Sequence, residues 1–403
     1  MKRKFIYPIL LLATATVVMA KTSPLAPEPD WSRLDPYQET ITREDFQTLL
    51  DRIYAPGGAA SGFIEISDKA AIIRTNPLRS PYVLCFAADR PSARRLPTSW
   101  RNRQTLPPLL PGKPLNGLKI AIDPGHIGGA WAKMEERWFQ IGNSEPVTEG
   151  DMTLKVAKLL MTRLTALGAD VVLTRSKAAP VTPQRPGQLR NAAVQSLKDK
   201  GESPTADAVT KESERLFYRA SEIRRRAKLI NDSIHPDIVL CLHFNAEDWG
   251  NEKNPRLVSD NHLHFLVTGA VTRKEIEYED QRLDMLVKLL SRSDNEEISL
   301  SSSLAGSMAR ATGLPPYVYQ GGSVVRVNDN PYIWARNLLA NRLITCPVIY
   351  VEPYVMNSRL VFARIQAGDY DGKKNFGGVP RSSIYREYAD GIVTGLVNYY
   401  SQR

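Results

Sequence analysis

Three cysteines in 403 residues are too few for a disulfide framework. Cys85, Cys241 and Cys346 all fall in apolar, strand-like runs, where buried thiols are the expectation. A Cys241–Cys346 bridge is the one pairing considered for an exported chain. Long apolar runs are equally scarce. Beyond residue 20 no stretch is long and apolar enough to span a membrane, which excludes a helical membrane protein for that part of the chain. Internal repeats and low-complexity tracts are absent, so a solenoid or a disordered tail is excluded as well. Acidic residues are in deficit, 43 against 53 basic ones, for a net charge of +10. Lys2, Arg3 and Lys4 account for three of these charges and leave +7 on the rest. Such a surplus suits an acidic polymer, whether cell wall, nucleic acid or a membrane surface, and charge does not choose among them.

What is present begins with a leader. Lys2-Arg3-Lys4 precede an apolar stretch over residues 5–18, and Val18-Met19-Ala20 has the small-residue pattern of a cleavage site. The expectation is a signal peptide over 1–20 and an exported protein, periplasmic or extracellular, with no stable membrane span after cleavage. No cysteine follows the site, so a lipid anchor is not indicated. The hydrophobic content of 42% and charged content of 24% are those of a globular protein.

Residues 21–37 are proline-rich and read as a linker. Residues 38–90 read as a small α+β module. Thr42 caps a helix on which Phe46, Leu49, Leu50 and Ile53 share one face. Two short strands turn around Ser67-Asp68-Lys69, and a third follows at 82–87. Residues 91–116 read as a second linker. From residue 117 strands and helices alternate, which predicts α/β architecture: a twisted, mostly parallel sheet flanked by helices. Charged insertions interrupt it at about 176–212 and 271–299.

The first strand of this region ends in Asp123-Pro124-Gly125-His126-Ile127-Gly128-Gly129. Pro124 and Gly125 break the ladder and deliver His126 beyond the carboxyl end of the strand, where open α/β sheets bind ligands. Two further apolar strands end in His243 and Glu352, and Glu149 opens the helix predicted over 152–167. Two imidazoles and a carboxylate form a donor set that zinc accepts, with one position left for water. A second carboxylate is then available to move the proton. Four residues at one sheet edge therefore suffice for metal-assisted amide hydrolysis.

Asp123-Pro124-Gly125-His126, Glu149-Gly150-Asp151, Leu242-His243-Phe244-Asn245-Ala246 and Val351-Glu352, in this order and on these elements, resemble the zinc-dependent N-acetylmuramoyl-L-alanine amidases, the cell-wall hydrolases of amidase type 3. The resemblance covers the chain from about residue 118 onward. It implies one Zn²⁺ held by His126, Glu149 and His243, with Glu352 as catalytic base and acid. It implies peptidoglycan as partner and substrate, cut between N-acetylmuramic acid and L-alanine, with a protein activator as a possible second partner and nucleic acid not expected. Arg226 and Asn231 also match the family's pattern and are expected to be structural or substrate-facing. Some members carry a helix that covers the zinc with a carboxylate, and the acidic run Glu275–Asp280 is the candidate for it here.

Three features depart from the family's pattern. Ile127 stands where a glycine is usual, the loop from His126 to Glu149 is long, and Tyr354-Val355-Met356 replaces a glycine-containing turn. Glu135, Glu136 and Glu145 compete with Glu149 for the ligand position. Trp131, Trp138 and Phe139 are candidates either for a sugar-binding groove or for covering a sheet edge. His262 and His264 share a strand face and are expected to pack or line the cleft, and His235 is expected in a surface turn. The alternatives are a zinc peptidase acting on stem peptides and a wall-binding protein without activity.

Overall fold

The computed structural model describes residues 21–76, 78–251 and 254–402, and the leader lies outside them. The small N-terminal sheet is antiparallel, with strands β1 (Ile64–Ile66), β2 (Ala70–Ile73) and β3 (Tyr82–Cys85) in that order. Helix α1 (Arg43–Leu49) precedes it, and the Thr42 hydroxyl accepts the Asp45 amide as predicted for its cap.

The main sheet has seven strands: β4 (Lys119–Pro124), β5 (Asp170–Leu173), β6 (Ile238–Leu242), β7 (Leu263–Thr268), β8 (Val324–Arg326), β9 (Ile333–Arg336) and β10 (Val348–Pro353). Their spatial order is β8-β9-β7-β10-β6-β4-β5. The pairs β5/β4, β4/β6, β6/β10 and β7/β9 are parallel, and β10/β7 and β9/β8 are antiparallel. The sheet is therefore mixed but mostly parallel. Helix α2 (Glu149–Ala166) buries Met152, Val156, Leu160 and Leu164, spaced four apart, against one face. Between β5 and β6 lie α3 (Arg190–Asp199), α4 (Ala206–Leu216) and α5 (Glu222–Leu229). Wider, π-type turns at Phe217–Ser221 and Ile230–Ile234 extend α4 and α5 into one run. Between β7 and β8 lie α6 (Glu279–Ser291) and α7 (Asp294–Thr312), and α8 (Ile384–Tyr400) closes the chain.

Helices α2, α7 and α8 cover one face of the sheet, where Ile120, Leu240, Phe265 and Ile349 point. The other face, with Ala121, Val239, Cys241 and Tyr350, receives the end of α5 and residues Ala340 and Ile344. No helix among the described residues is long and apolar enough to cross a membrane. Cys241 and Cys346 are buried free thiols, so the bridge considered for them does not form. Cys85 is exposed, because it falls on the outward face of β3.

The two segments expected as linkers are packed. Residues 31–37 form a 3₁₀ turn that buries Trp31 and Leu34. The indole Nε1 of Trp31 donates to Glu279 at 2.7 Å, the Ser23 amide to Asp280 at 2.7 Å and Arg33 to Asp284 at 2.9 Å. Phe46, Leu50, Tyr54 and Leu84 share one apolar cluster with Leu283, Leu286, Leu289 and Leu290 of α6. The insertion at 271–299 is thus the seat of the N-terminal module. Farther along, Arg101 donates to both carboxylate oxygens of Asp237 at 3.0 and 2.8 Å, and Leu106 and Leu115 enter the main core. Phe46 is fully buried beside Phe86, with ring centroids 5.3 Å apart. Phe46→Ala is expected to lower stability by about 3–5 kcal/mol, measured by denaturant titration.

Candidate metal centre

Strand β4 is buried along Ile120–Pro124 and stops at Gly125, whose amide donates to Leu242 O at 2.9 Å. A side chain at 125 would place its Cβ 2.4 Å from the His243 ring, so only glycine lets the two loops meet. His126 follows with φ of 60°, a left-handed conformation that costs a non-glycine residue energy and needs outside support. Two buried arginines supply it. Arg226 donates to Pro124 O at 2.8 Å and to His126 O at 2.7 Å, and Arg175 donates to Gly125 O at 3.1 Å and Gly150 O at 2.6 Å. Asp123 and Glu222 balance Arg226. Arg226 is therefore structural, and Asn231 is too: it ties α5's end to Leu343 O and the Thr345 amide.

Gly128 is pressed against the start of α2, where a Cβ would meet the Asp151 amide at 2.7 Å. Asp151 accepts from the Gly129 amide at 2.8 Å and from the Thr148 hydroxyl at 2.7 Å, which fixes the helix entrance that carries Glu149. Ile127, the departure from the family's pattern, is buried with Leu189, Leu197, Leu216 and Phe217. It anchors the 176–212 insertion to the loop.

His126, Glu149 and His243 converge. One donor atom from each lies within 4.8 Å of the others, and no other group of three or more metal-binding side chains occurs among the described residues. His126 Nε2 is 3.1 Å from one Glu149 oxygen and His243 Nδ1 is 3.0 Å from the other. Ligand atoms about 2.0–2.2 Å from a tetrahedral zinc stand roughly 3.3 Å apart; the donor set fits that ion in kind, and its atoms, within 4.8 Å of one another, stand close enough to converge on it. The charges agree. Burial disfavours a charged His126, but Glu149 and Glu135 outweigh it and raise its pKa to about 9. Burial likewise opposes ionisation of Glu149, and the two imidazoles hold its carboxyl well below the usual range. A site that draws positive charge this strongly favours a cation.

Glu135, considered above as a competing ligand, stands behind His126 instead. It is 2% exposed, accepts the Ile127 and Gly128 amides at 2.9 and 3.1 Å, and lies 3.6 Å from His126 Nδ1. It orients the imidazole from the side away from Glu149. Arg137 Nε approaches Glu149 at 3.2 Å.

Glu352 ends β10 next to His243. The His243 amide donates to Val351 O at 3.0 Å, and both residues line a cleft of about 560 Å³ together with His126 and Glu149. The Tyr388 hydroxyl, on α8, reaches Val351 O at 3.0 Å and His243 O at 3.2 Å and so pins the ends of both strands. Burial pushes the Glu352 carboxyl up to about 7, with Glu149 adding to the shift and His243 opposing it. The turn after it is held by Tyr354 at φ of 60°, where glycine is the usual solution. Its ring is buried and its hydroxyl donates to Glu387 at 2.8 Å, contacts that offset the backbone cost.

Two expectations are corrected here, for the loop aromatics and for the acidic run. Phe139 is core, packed between Trp249 and Phe362 at centroid distances of 5.1 and 6.1 Å. Trp131 packs on Phe217, in the turn that joins α4 to α5, and Trp138 lies under Lys133. None of the three lines the cleft, whose aromatic residues are Phe244, Trp249, Tyr317 and Tyr319. The acidic run does not cover the site either. Glu275 caps its own helix at Thr272, Glu277 pairs with Lys21, and Glu279 and Asp280 hold the N-terminal segment. His235 sits in a left-handed turn after α5. His264 lines the cleft, and His262 bonds Glu247 at 3.2 Å.

A family model described as N-acetylmuramoyl-L-alanine amidase matches residues 120–375, more than half of the chain. Among solved structures the chain is similar to the amidase Ami1 of Mycobacterium smegmatis at 15% identity and a TM-score of 0.40, over 72% of this chain and 99% of that one. It is also similar to the N-acetylmuramoyl-L-alanine amidase of Clostridium difficile 630, at 16% identity and a TM-score of 0.38 over 70% and 97% of the two chains. A third is the catalytic domain of CwlV from Bacillus (Paenibacillus) polymyxa var. colistinus, at 15% and 0.37 over 70% and 97%. No curated protein matches the chain.

Proposed function

The chain belongs to the N-acetylmuramoyl-L-alanine amidase family, and from that premise we propose that it is an exported, zinc-dependent hydrolase of peptidoglycan. The bond cut is the amide between the lactyl group of N-acetylmuramic acid and the L-alanine of the stem peptide. The observation that carries this reading is the convergence of His126, Glu149 and His243 in one cleft with Glu352.

In this reading the two imidazoles and the Glu149 carboxylate hold one Zn²⁺. The chemistry the ion supplies when bound is Lewis acidity at the scissile carbonyl and acidification of water towards a pKa of about 7. Glu352 takes a proton from the attacking water and returns it to the leaving nitrogen. A carboxyl raised to about 7 serves both directions near neutral pH. Glu135 and the Arg175–Arg226 clamp fix the rotamer and backbone of His126, and Tyr388 fixes the separation of His243 from Glu352. Among the described residues no carboxylate of 271–299 lines the cleft, so that segment does not cover the site.

The test is a pair of synthetic substrates: N-acetylmuramyl-L-alanine peptide, and the same peptide acylated without the sugar. Release of free peptide from the first, with all peptide bonds intact in both, is expected. Cuts within the peptide would replace this reading with a peptidase. A smaller effect is expected behind the metal. Glu135→Gln should weaken zinc affinity by roughly 10- to 100-fold, measured by competition with a chromogenic chelator, because the imidazole loses the carboxylate that orients it.

A further inference from the structure

One wall of the cleft takes no part in the proposed proton transfers. Strand β7 runs antiparallel to β10 and sets His264 opposite Glu352. His264 is 2% exposed, shares a hydrogen bond of 2.9 Å with the Tyr319 hydroxyl through Nε2, and has no partner at Nδ1. Tyr319 stands edge-on to Trp334 at 5.5 Å and carries the Arg336 guanidinium over its ring at 5.9 Å. The register pairs Trp334 with Leu266 and Arg336 with Thr268, so residues 264, 266, 268, 334 and 336 share one face of the sheet. On that face the 560 Å³ cleft meets an adjoining cavity of about 420 Å³, and Arg336 lines both, together with His126, His243 and Glu352.

Of the two arginines that line the cleft, only Arg137 has a carboxylate partner. Arg226 is balanced by Asp123 and Glu222, Arg364 by Glu387, and Arg137, the other arginine of the cleft, by Glu149. No carboxylate forms an ion pair with Arg336 among the described residues. A guanidinium is a planar fork of donors matched to a carboxylate. On the sugar side of the scissile amide the substrate is uncharged, because the lactyl carboxyl is itself the amide. The peptide side carries free carboxylates. We propose that Arg336, braced by Tyr319 and His264, forms a subsite for a carboxylate of the stem peptide beside the scissile amide. The subsite deepens the amidase reading and rests on it.

Two measurements test it on the zinc-loaded protein. The first compares kcat/KM for a muropeptide with free peptide carboxylates and for the same muropeptide amidated. A charge-assisted hydrogen-bond pair predicts a preference of about tenfold or more for the acid form. Arg336→Gln should bring the ratio close to one, and Arg336→Lys should keep part of it. The second is calorimetric titration with the free stem peptide, as acid and as amide, which does not depend on turnover. Wild type should bind the acid form more tightly, and the glutamine variant should bind both alike. Equal treatment of the two forms by wild type, or a preference that survives in Arg336→Gln, overturns the subsite. If wild type releases no peptide from either muropeptide, the amidase reading fails, and the titration still decides whether Arg336 reads a carboxylate.

Discussion

Glu352→Gln is expected to lower kcat by about 10²- to 10⁴-fold while zinc remains bound at one ion per chain. The substitution keeps the size and position of the side chain at the end of β10. It removes only the capacity to accept and return a proton. Because Glu352 is not among the three converging donors, metal content measured by elemental analysis should be unchanged. The pairing of Val351 with Leu242 and the two contacts of the Tyr388 hydroxyl hold the strand ends independently of the carboxyl, so the fold should survive. Normal turnover by this variant would remove Glu352 from the mechanism.

The second large effect is expected from the ligands. His126→Ala should abolish both stoichiometric zinc binding and detectable hydrolysis. It should also destabilise the metal-free protein. Glu149 is 2% exposed, and His126 is one of the cations that keep its carboxylate ionised there. Without that imidazole the buried carboxylate retains His243 and Arg137, and breaking a buried charge pair from one side costs about 3–5 kcal/mol. A lowered melting temperature together with absent zinc is the expected signature. Zinc bound with unchanged affinity would show that His126 is not a ligand.

The strand ends that carry the site were legible because each is a short apolar run broken by a turn residue or a polar group. His126 after Pro124-Gly125, His243 after the run ending at Leu242, and Glu352 after Val351 are local patterns. Glu149 was not legible in this way: a glutamate in a first helical turn ordinarily serves the helix dipole, and only the family resemblance favoured it over Glu135, Glu136 and Glu145. What supports these residues was not legible either, because its contacts are distant in sequence. Arg175 and Arg226 reach the His126 loop from 51 and 102 positions away at Pro124 O. Tyr388 reaches Val351 from 37 positions away, on the helix that closes the chain.

The insertion at 271–299 shows how the sequence misled. Its acidic start, Glu275 to Asp280, suggested a cover for the candidate metal centre, whereas its apolar continuation through Leu283, Leu286, Leu289 and Leu290 packs against the N-terminal module. That face is buried by the N-terminal module, and Trp31 of the preceding segment bonds Glu279 across 248 positions. The same long-range packing explains why residues 21–37 looked like a linker: proline-rich composition describes the local backbone and not what the segment covers.

Digesting purified peptidoglycan with the protein lacking residues 1–20, with and without a chelator, and identifying the soluble products by mass decides whether this chain is a zinc amidase. Free stem peptides that begin at L-alanine, lost on chelation and restored by added zinc, are expected. Stem peptides cut internally, or release that persists without metal, would contradict that reading.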